Sequence, residues 1–160
     1  MDYLEAFGVA TGQGKYHEEA VYGLALVYTV IHNEIAVYLD RYDLTPAKMN
    51  ALMIIKHQGK GKGISQVDIG NRLMVTASNM TRLLDKLERD GLIARSAQVG
   101  DRRVNVIKIT PKGARLLDRV WPGYQEKIKG LTNVLSAADQ KAVSQLLSRW
   151  LERIKDANKA

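Results

Sequence analysis

Residues 76–113 have the sequence TASNMTRLLDKLERDGLIARSAQVGDRRVNVIKITPKG, and this stretch decides the fold. Between Met80 and Leu87 the apolar residues recur at helical spacing. After Gly91, a residue placed to end a helix, the pattern changes to the alternation of β-strands. A Gly-Asp turn signal at 100–101 divides the alternating stretch into a hairpin. The stretch therefore predicts a helix, begun by an N-cap at its first residue, that runs directly into a two-stranded hairpin.

The residues just before this stretch predict a second short helix. Ser65 and Asp68 have the spacing of a capping box, and Ile64 and Ile69 form a hydrophobic staple across it. Only a short connector at 73–75 separates this helix from the next. Two helices joined by such a turn form a helix-turn-helix unit, and the basic hairpin that follows is its wing.

Both ends of the chain predict amphipathic helices. Apolar residues at alternating steps of three and four form a seam from Val21 to Tyr42, and Thr45-Pro46 begins the next helix, which stops at the Gly- and Lys-rich loop 59–63. Thr110-Pro111 opens another helix, which we expect to be interrupted near Pro122 and Gly123. The last helix is capped by Ser136 with Asp139 and carries a full apolar stripe, from Val143 to Ile154.

The fold class predicted by this order is mainly α with a small β-hairpin wing. A small central winged helix cannot cover the apolar faces of the end helices, so we expect a second copy of the chain to cover them. The predicted organisation of the 160 residues as one domain is a loosely tied arm at 1–16, dimerisation helices at 17–42 and 111–156, and a winged-helix core at 46–110.

The composition favours a polyanionic partner. Lys and Arg number 24 against 17 Asp and Glu, a formal net charge of +7, which suits nucleic acid or an anionic membrane surface. The absence of cysteine excludes disulfides and thiol chemistry. We find no secretory signal and no segment of about 18 apolar residues, and therefore expect a cytoplasmic protein without a membrane partner.

The helix at 76–90 has a face suited to the major groove of DNA. Its outward residues combine short hydroxyl and amide groups with basic side chains. Arg82 is the best candidate for a base contact, while Lys86 and Arg89, further along the helix, are more suited to phosphates. Asp85 on this face would repel phosphate, so we expect it to pair with an Arg of the wing or with Arg89. The predicted recognition-helix contacts are Thr76, Ser78, Asn79, Thr81, Arg82, Lys86 and Arg89.

Two motifs in this region resemble the multiple-antibiotic-resistance regulator (MarR) family. The run TRLLDKLERDGLIAR at 81–95 is similar to that family's recognition helix and first wing strand, and DRRVNVIKITPKG at 101–113 to its wing signature. The resemblance implies a homodimeric winged helix-turn-helix regulator that binds a palindromic operator, usually as a repressor released by a small ligand. It also implies that Asp101 and Arg103 hold and present the wing, and that Arg103, together with Arg102, enters the minor groove or contacts the backbone there. A local salt bridge without DNA contact is the alternative for Asp101 and Arg103.

The resemblance also bears on a ligand site. Ligands of the family often lodge between the dimerisation helices and the winged core, which makes Tyr28 and His32 a candidate pocket, although a histidine satisfied within an interface is the simpler interpretation. His17, His32 and His57 do not have metal-ligand spacing, and no cofactor motif is present, so we expect neither metal nor cofactor. No Ser-His-Asp or paired-carboxylate arrangement stands out, and we expect no catalysis.

The sequence therefore predicts a DNA-binding transcription regulator whose partners are double-stranded DNA, a second copy of the chain and a small-molecule effector. Two alternatives stay open. One is a winged-helix module that docks proteins, and the other is an architectural protein that binds DNA without sequence preference.

Overall fold

The helices and strands of the computed structural model follow the predicted order. The structure describes residues 3–12, 14–73, 76–98 and 101–157, with side chains left undescribed at 3, 77, 97–98 and 101–105. The elements are α1 (Tyr3–Ala6), α2 (Tyr16–Asp40), α3 (Pro46–Gly59), β1 (Ile64–Ser65), α4 (Gln66–Leu73), α5 (Ala77–Arg89), β2 (Ile93–Gln98), β3 (Asp101–Ile109), α6 (Pro111–Thr132) and α7 (Ala137–Ala157). The chain divides into two compact units, residues 1–124 and 125–160.

The predicted N-caps are present and explain where the helices begin. In each case the hydroxyl oxygen of the cap accepts a hydrogen bond from the backbone N–H three residues later, which satisfies a donor that the helix leaves unpaired. The caps are Thr45 on α3 (3.2 Å), Ser65 on α4 (3.1 Å), Thr76 on α5 (3.4 Å), Thr110 on α6 (3.1 Å) and Ser136 on α7 (3.1 Å).

Gly91 ends α5 as predicted. It has a φ of 70°, and its N–H donates to the Glu88 carbonyl oxygen (2.9 Å) while the Leu92 N–H donates to the Leu87 carbonyl oxygen (2.9 Å). This pair of bonds is a Schellman motif, and its left-handed residue favours glycine. The turn directs the chain from the helix into the hairpin.

The sheet has three antiparallel strands in the order β1-β3-β2. Both wing strands were predicted, but they are longer than expected, and Gly100 of the predicted turn lies outside the described residues. β1, which was not predicted, pairs Ile64 with Ile107 and Ser65 with Val106. Two residues are too few to show a strand period in the sequence. β1 forms because the edge of β3 is open to pairing.

The core lies in the first unit, between the helices and one face of the sheet. Its most deeply buried side chains are at most 2% exposed and come from α2 to α6, which binds the winged region to the helices around it. The largest are Leu39, Met49, Leu52, Ile55, Ile69, Met80, Leu84, Leu87, Ile93, Ile107, Leu117 and Val120.

The interruption expected near Pro122 and Gly123 was wrong, because α6 continues through Pro122 to Thr132. The Tyr38 hydroxyl donates to the carbonyl oxygen of Val120 (2.8 Å), two residues before the proline. A Cβ at Gly123 would collide with the hydroxyl oxygen of the same tyrosine, so Tyr38 packs closely against this turn. This close packing accompanies the continuation of the helix past the proline.

The N-terminal arm is more ordered than the predicted loosely tied segment. It contains α1, and Val9 after it is buried. The Gly12 N–H donates to the carboxylate of Glu19 on α2 (3.0 Å), and Leu4 lies close to Gly23. A single turn of helix leaves too little periodicity for a sequence to reveal.

The two long end helices keep much of their apolar surface exposed. On α2 the exposed residues include Val21, Leu24, Val27, Tyr28, Val30 and Val37, and on α7 they include Val143, Leu146, Leu147, Leu151 and Ile154. By length and composition α2 is also sufficient to cross a membrane, which corrects the expectation that no segment is. A single helix with these properties is weak evidence for a membrane, since a helix that packs on another protein chain has them too.

Candidate nucleic-acid interface

Helix α5 separates its apolar and polar residues cleanly. Met80, Leu84 and Leu87 are at most 1% exposed and anchor the helix in the core. The seven residues predicted to contact DNA are all exposed: Thr76, Ser78, Asn79, Thr81, Arg82, Lys86 and Arg89. A helix fixed by its buried side can present such a face in one orientation.

The start of α5 is held by its own cap. The Thr76 hydroxyl lies 3.3 Å from the Ser78 hydroxyl, in addition to its bond with the Asn79 N–H. Two of the short polar groups predicted to meet DNA are therefore already ordered by each other. The first turn, where recognition helices meet base edges, is organised before any partner binds.

Gln66, which sequence reasoning missed, joins the two helices of the helix-turn-helix. Its Nε2 donates to the Thr81 hydroxyl oxygen (2.8 Å) from the first residue of α4. Because the two residues are 15 apart in the chain, only their proximity in the folded unit reveals the contact. The bond orders Thr81, so Gln66 belongs to the same polar surface.

Arg95 connects α5 to the wing. Its Nη1 lies 2.7 Å from an Asp85 carboxylate oxygen and 2.8 Å from a Glu88 carboxylate oxygen, and its backbone N–H donates to Glu88 (3.2 Å). The expectation that Asp85 pairs with a wing arginine is confirmed, and the partner is Arg95 of β2 rather than Arg89. One guanidinium thus pairs with two carboxylates beside the basic face and leaves one net negative charge in place of two, which lowers the repulsion that a polyanion would meet.

The backbone of β3 contains the three predicted wing residues, Asp101, Arg102 and Arg103. Their side chains lie outside the part that the structure describes. Gly113, which ends the wing signature, has a clear structural reason: a Cβ there would collide with the Leu92 carbonyl oxygen. The close approach of α6 to the start of β2 therefore requires glycine.

Tyr28 and His32, the candidate ligand pair, do lie together. The Tyr28 hydroxyl is 3.3 Å from His32 Nδ1, and the two rings are 5.4 Å apart between centroids. The Tyr28 side chain is 62% exposed, so this pair occupies an open surface of α2. The first unit holds a cleft elsewhere, beside the C-terminal end of α5.

Comparisons with known proteins agree with this geometry. The model of the MarR family matches residues 44–104, which run from the start of α3 into β3. The HTH-type transcriptional regulator YfiV of Bacillus subtilis is 30% identical over 118 residues, 72% of each chain. The chain belongs to the MarR family. The HTH-type transcriptional regulator MhqR of Bacillus subtilis is 29% identical over 126 residues, which cover 79% of this chain and 85% of MhqR.

Solved MarR-family structures share the fold. A crystal structure of mutant MarR from E. coli with operator DNA has a TM-score of 0.75 and 26% identity, and covers 80% of this chain and 90% of that one. The DNA complex of MepR from S. aureus has a TM-score of 0.75 and 25% identity, and covers 83% of this chain and 96% of that one. The predicted winged helix-turn-helix class and family are confirmed, and the chain is a DNA-binding transcription regulator of the MarR family.

Proposed function

We propose that this MarR-family regulator is a cytoplasmic homodimer that represses transcription from a palindromic operator and releases it when a small effector binds. The observation that carries the proposal is the exposed face of α5. It presents Arg82, Lys86 and Arg89 while Arg95 pairs with the carboxylates of Asp85 and Glu88. A surface with this charge suits a polyanion, and its amide and hydroxyl groups suit base edges.

In this proposal each α5 enters one major groove. Arg82 contacts a base, and Lys86 and Arg89 contact phosphates together with the short polar residues of the first turn. Asp101 holds the wing, and Arg103 with Arg102 enters the flanking minor groove, where a narrow groove concentrates negative potential. The working unit is the single domain 1–160, which acts without cofactor and without catalysis.

The exposed apolar faces of α2 and α7 support dimerisation. Side chains such as Val27 on α2 and Leu146 on α7 are more than half exposed, and exposed apolar surface of this extent is typical of protein interfaces. A second copy of the chain is the natural occupant, because a two-fold dimer matches a palindromic site.

Selection of bound duplexes from a random DNA pool tests the proposal, at about 150 mM salt because phosphate contacts make affinity depend on salt. We expect an inverted repeat with half-sites about 10 bp apart from centre to centre. Arg82→Ala/Lys86→Ala should lose the enrichment. Lys141→Ala/Arg149→Ala on α7, which removes the same charge, should keep it.

Other outcomes of the selection contradict the proposal in distinct ways. Recovery of DNA without enrichment indicates an architectural protein. No recovery even at low salt indicates a protein-docking module, provided that the protein is free of a bound effector. A direct-repeat site would contradict the two-fold dimer and leave sequence-specific binding intact.

A further inference from the structure

A basic cleft of about 800 Å³ opens beside the C-terminal end of α5, wholly within the first unit. Residues of α3, the end of α5, the start of β2, α6 and the turn after α2 meet there. The lining residues are Tyr42, Asp43, Lys48, Asp90, Leu92, Lys112, Arg115, Leu116 and Arg119. The predicted recognition contacts do not line it, so the cleft is a separate feature.

The cleft carries more positive than negative charge. Four of its residues are cationic and two are acidic, which leaves a surplus of two positive charges. Lys112, Arg115 and Arg119 lie on one side of α6, because positions three, four and seven apart share a helix face. Concentrating like charges on a concave surface is unfavourable unless an anion offsets them.

The two lysines of the cleft already have partners at the end of α5. Lys48 Nζ lies 2.7 Å from an Asp90 carboxylate oxygen, and Lys112 Nζ donates to the Asp90 carbonyl oxygen (2.7 Å). Both bonds converge on Asp90, which is the C-cap residue of α5. The lysines thus fasten the end of this helix to α3 and α6.

The two arginines are available for a ligand. Arg115 has no acidic partner among the described side chains, and Arg119 lies over the Tyr42 ring, 6.0 Å from its centroid. Both residues are exposed. Guanidinium groups bind carboxylates and phosphates with paired hydrogen bonds, and Leu92 and Leu116 offer apolar contact beside them.

We propose that this cleft binds a compact organic anion with two or more acidic groups, and that Arg115 and Arg119 are its primary contacts. The proposal rests on the effector response proposed above and gives it a place and a ligand chemistry. Polycarboxylates and phosphate esters share that chemistry. Their acidic groups would compete with Asp90 for Lys112 and Lys48, so occupancy would loosen the fastening at the end of α5.

Calorimetric titration of the full chain without DNA tests the site, with citrate and pyrophosphate as separate probes at constant ionic strength. We expect saturable binding of at least one probe, with one site per chain. Arg115→Ala/Arg119→Ala should weaken it about tenfold, because both guanidinium contacts to the anion are lost. Lys141→Ala/Arg149→Ala, the matched loss of charge on α7, should stay within about twofold of wild type.

Asp90→Asn provides a second test with the opposite sign. It removes a negative charge from the cleft and weakens the hold on Lys48, which keeps its bond to the Asp43 carbonyl oxygen (3.3 Å), so the affinity for the probe should rise several-fold. A residue with a merely structural role would not tighten anion binding when substituted. If citrate binds and pyrophosphate does not, a carboxylate ligand is indicated, and the reverse result indicates a phosphate ester.

Two results overturn the proposal. One is no saturable binding of either probe up to millimolar concentration, and the other is equal weakening by the cleft pair and the α7 pair. Neither result bears on the proposed DNA recognition, because the duplex selection contains neither probe. Loss of duplex selection with anion binding intact would instead contradict the proposed function alone.

Discussion

Helices α5 and α7 each carry an apolar stripe, but the two stripes have opposite surroundings. On α5 the side chains of Leu84 and Leu87 are fully buried. On α7 the side chains of Leu146 and Ile154 are 56% and 47% exposed, and no residue of the helix is buried. An apolar stripe thus lies in the core on α5 and at an open surface on α7.

The contrast shows that an apolar stripe predicts a partner and does not say which chain supplies it. The partners of α5 are α3, α4 and β2, all in the same chain. The exposed stripe of α7 is accounted for when a second copy of the chain supplies its partner.

The largest expected effect is a loss of protein stability when a buried side chain of α5 is shortened. Leu84→Ala removes a fully buried side chain and should lower the free energy of unfolding by about 2–5 kcal/mol, through lost burial and a cavity. Urea unfolding measures it, and the loss should be the same at every protein concentration. Leu146→Ala is the matched change on α7, and its cost should instead vary with protein concentration. Equal, concentration-independent costs would remove the contrast between the helices.

The next effect concerns the association of two chains through α7. Leu146→Glu places a charge in the proposed interface and should weaken dimerisation by about 2 kcal/mol, or about 30-fold in Kd. Gln145→Glu, on the opposite side of the same helix, is the control and should have little effect. Sedimentation velocity over a range of concentrations distinguishes them. Unchanged dimerisation of both variants would mean that α7 is not the interface.

A smaller effect is expected for the link between α5 and the wing. Arg95→Ala leaves the carboxylates of Asp85 and Glu88 without their shared partner, and should lower the free energy of unfolding by about 1 kcal/mol because the pairs are partly exposed. Adding Asp85→Asn and Glu88→Gln should recover part of this loss. The same triple variant should recover DNA affinity that Arg95→Ala loses. No recovery in either measurement would contradict the role given to Arg95.

The smallest effect tests the inward side of α2. Tyr38→Phe removes the hydrogen bond to Val120 and should cost no more than about 1 kcal/mol at pH 8. Burial, followed by the Tyr42 hydroxyl, raises the pKa of Tyr38 to about 12, and the tyrosine is therefore kept neutral in the fold. The stability that it contributes is complete below pH 10 and is lost as the pH rises from 10 to 12.

Urea unfolding of the wild type and of Tyr38→Phe, at pH 8 and at pH 11 to 12, checks this behaviour. The advantage of wild type over Tyr38→Phe should shrink across that window. A constant difference would show that the Tyr38 hydroxyl is not protected by the fold.

Much of the fold could be predicted from sequence because its signals are local. The caps at Thr45, Thr76 and Thr110 and the turn at Gly91 depend on residues within one helical turn. β1 and the continuity of α6 through Pro122 could not be predicted, because both depend on contacts with distant parts of the chain. Those contacts are the pairing of β1 with β3 and the bond from Tyr38.

The candidate site divides in the same way. The exposed face of α5 followed from helical periodicity, which places Arg82 opposite Leu84 and Leu87. The ion pair between Lys48 and Asp90 joins residues that are 42 apart in the chain, so no local spacing in the sequence predicts it. The contact from Gln66 to Thr81 was missed for the same reason.

The most direct test of the central claim is the affinity of the protein for two duplexes, the enriched sequence and a scrambled one, at about 150 mM salt. Arg82→Ala should lose about 1–3 kcal/mol on the enriched duplex and much less on the scrambled one. Arg149→Ala should change neither. Equal weakening of Arg82→Ala on both duplexes, or none on either, would contradict sequence recognition through this face of α5.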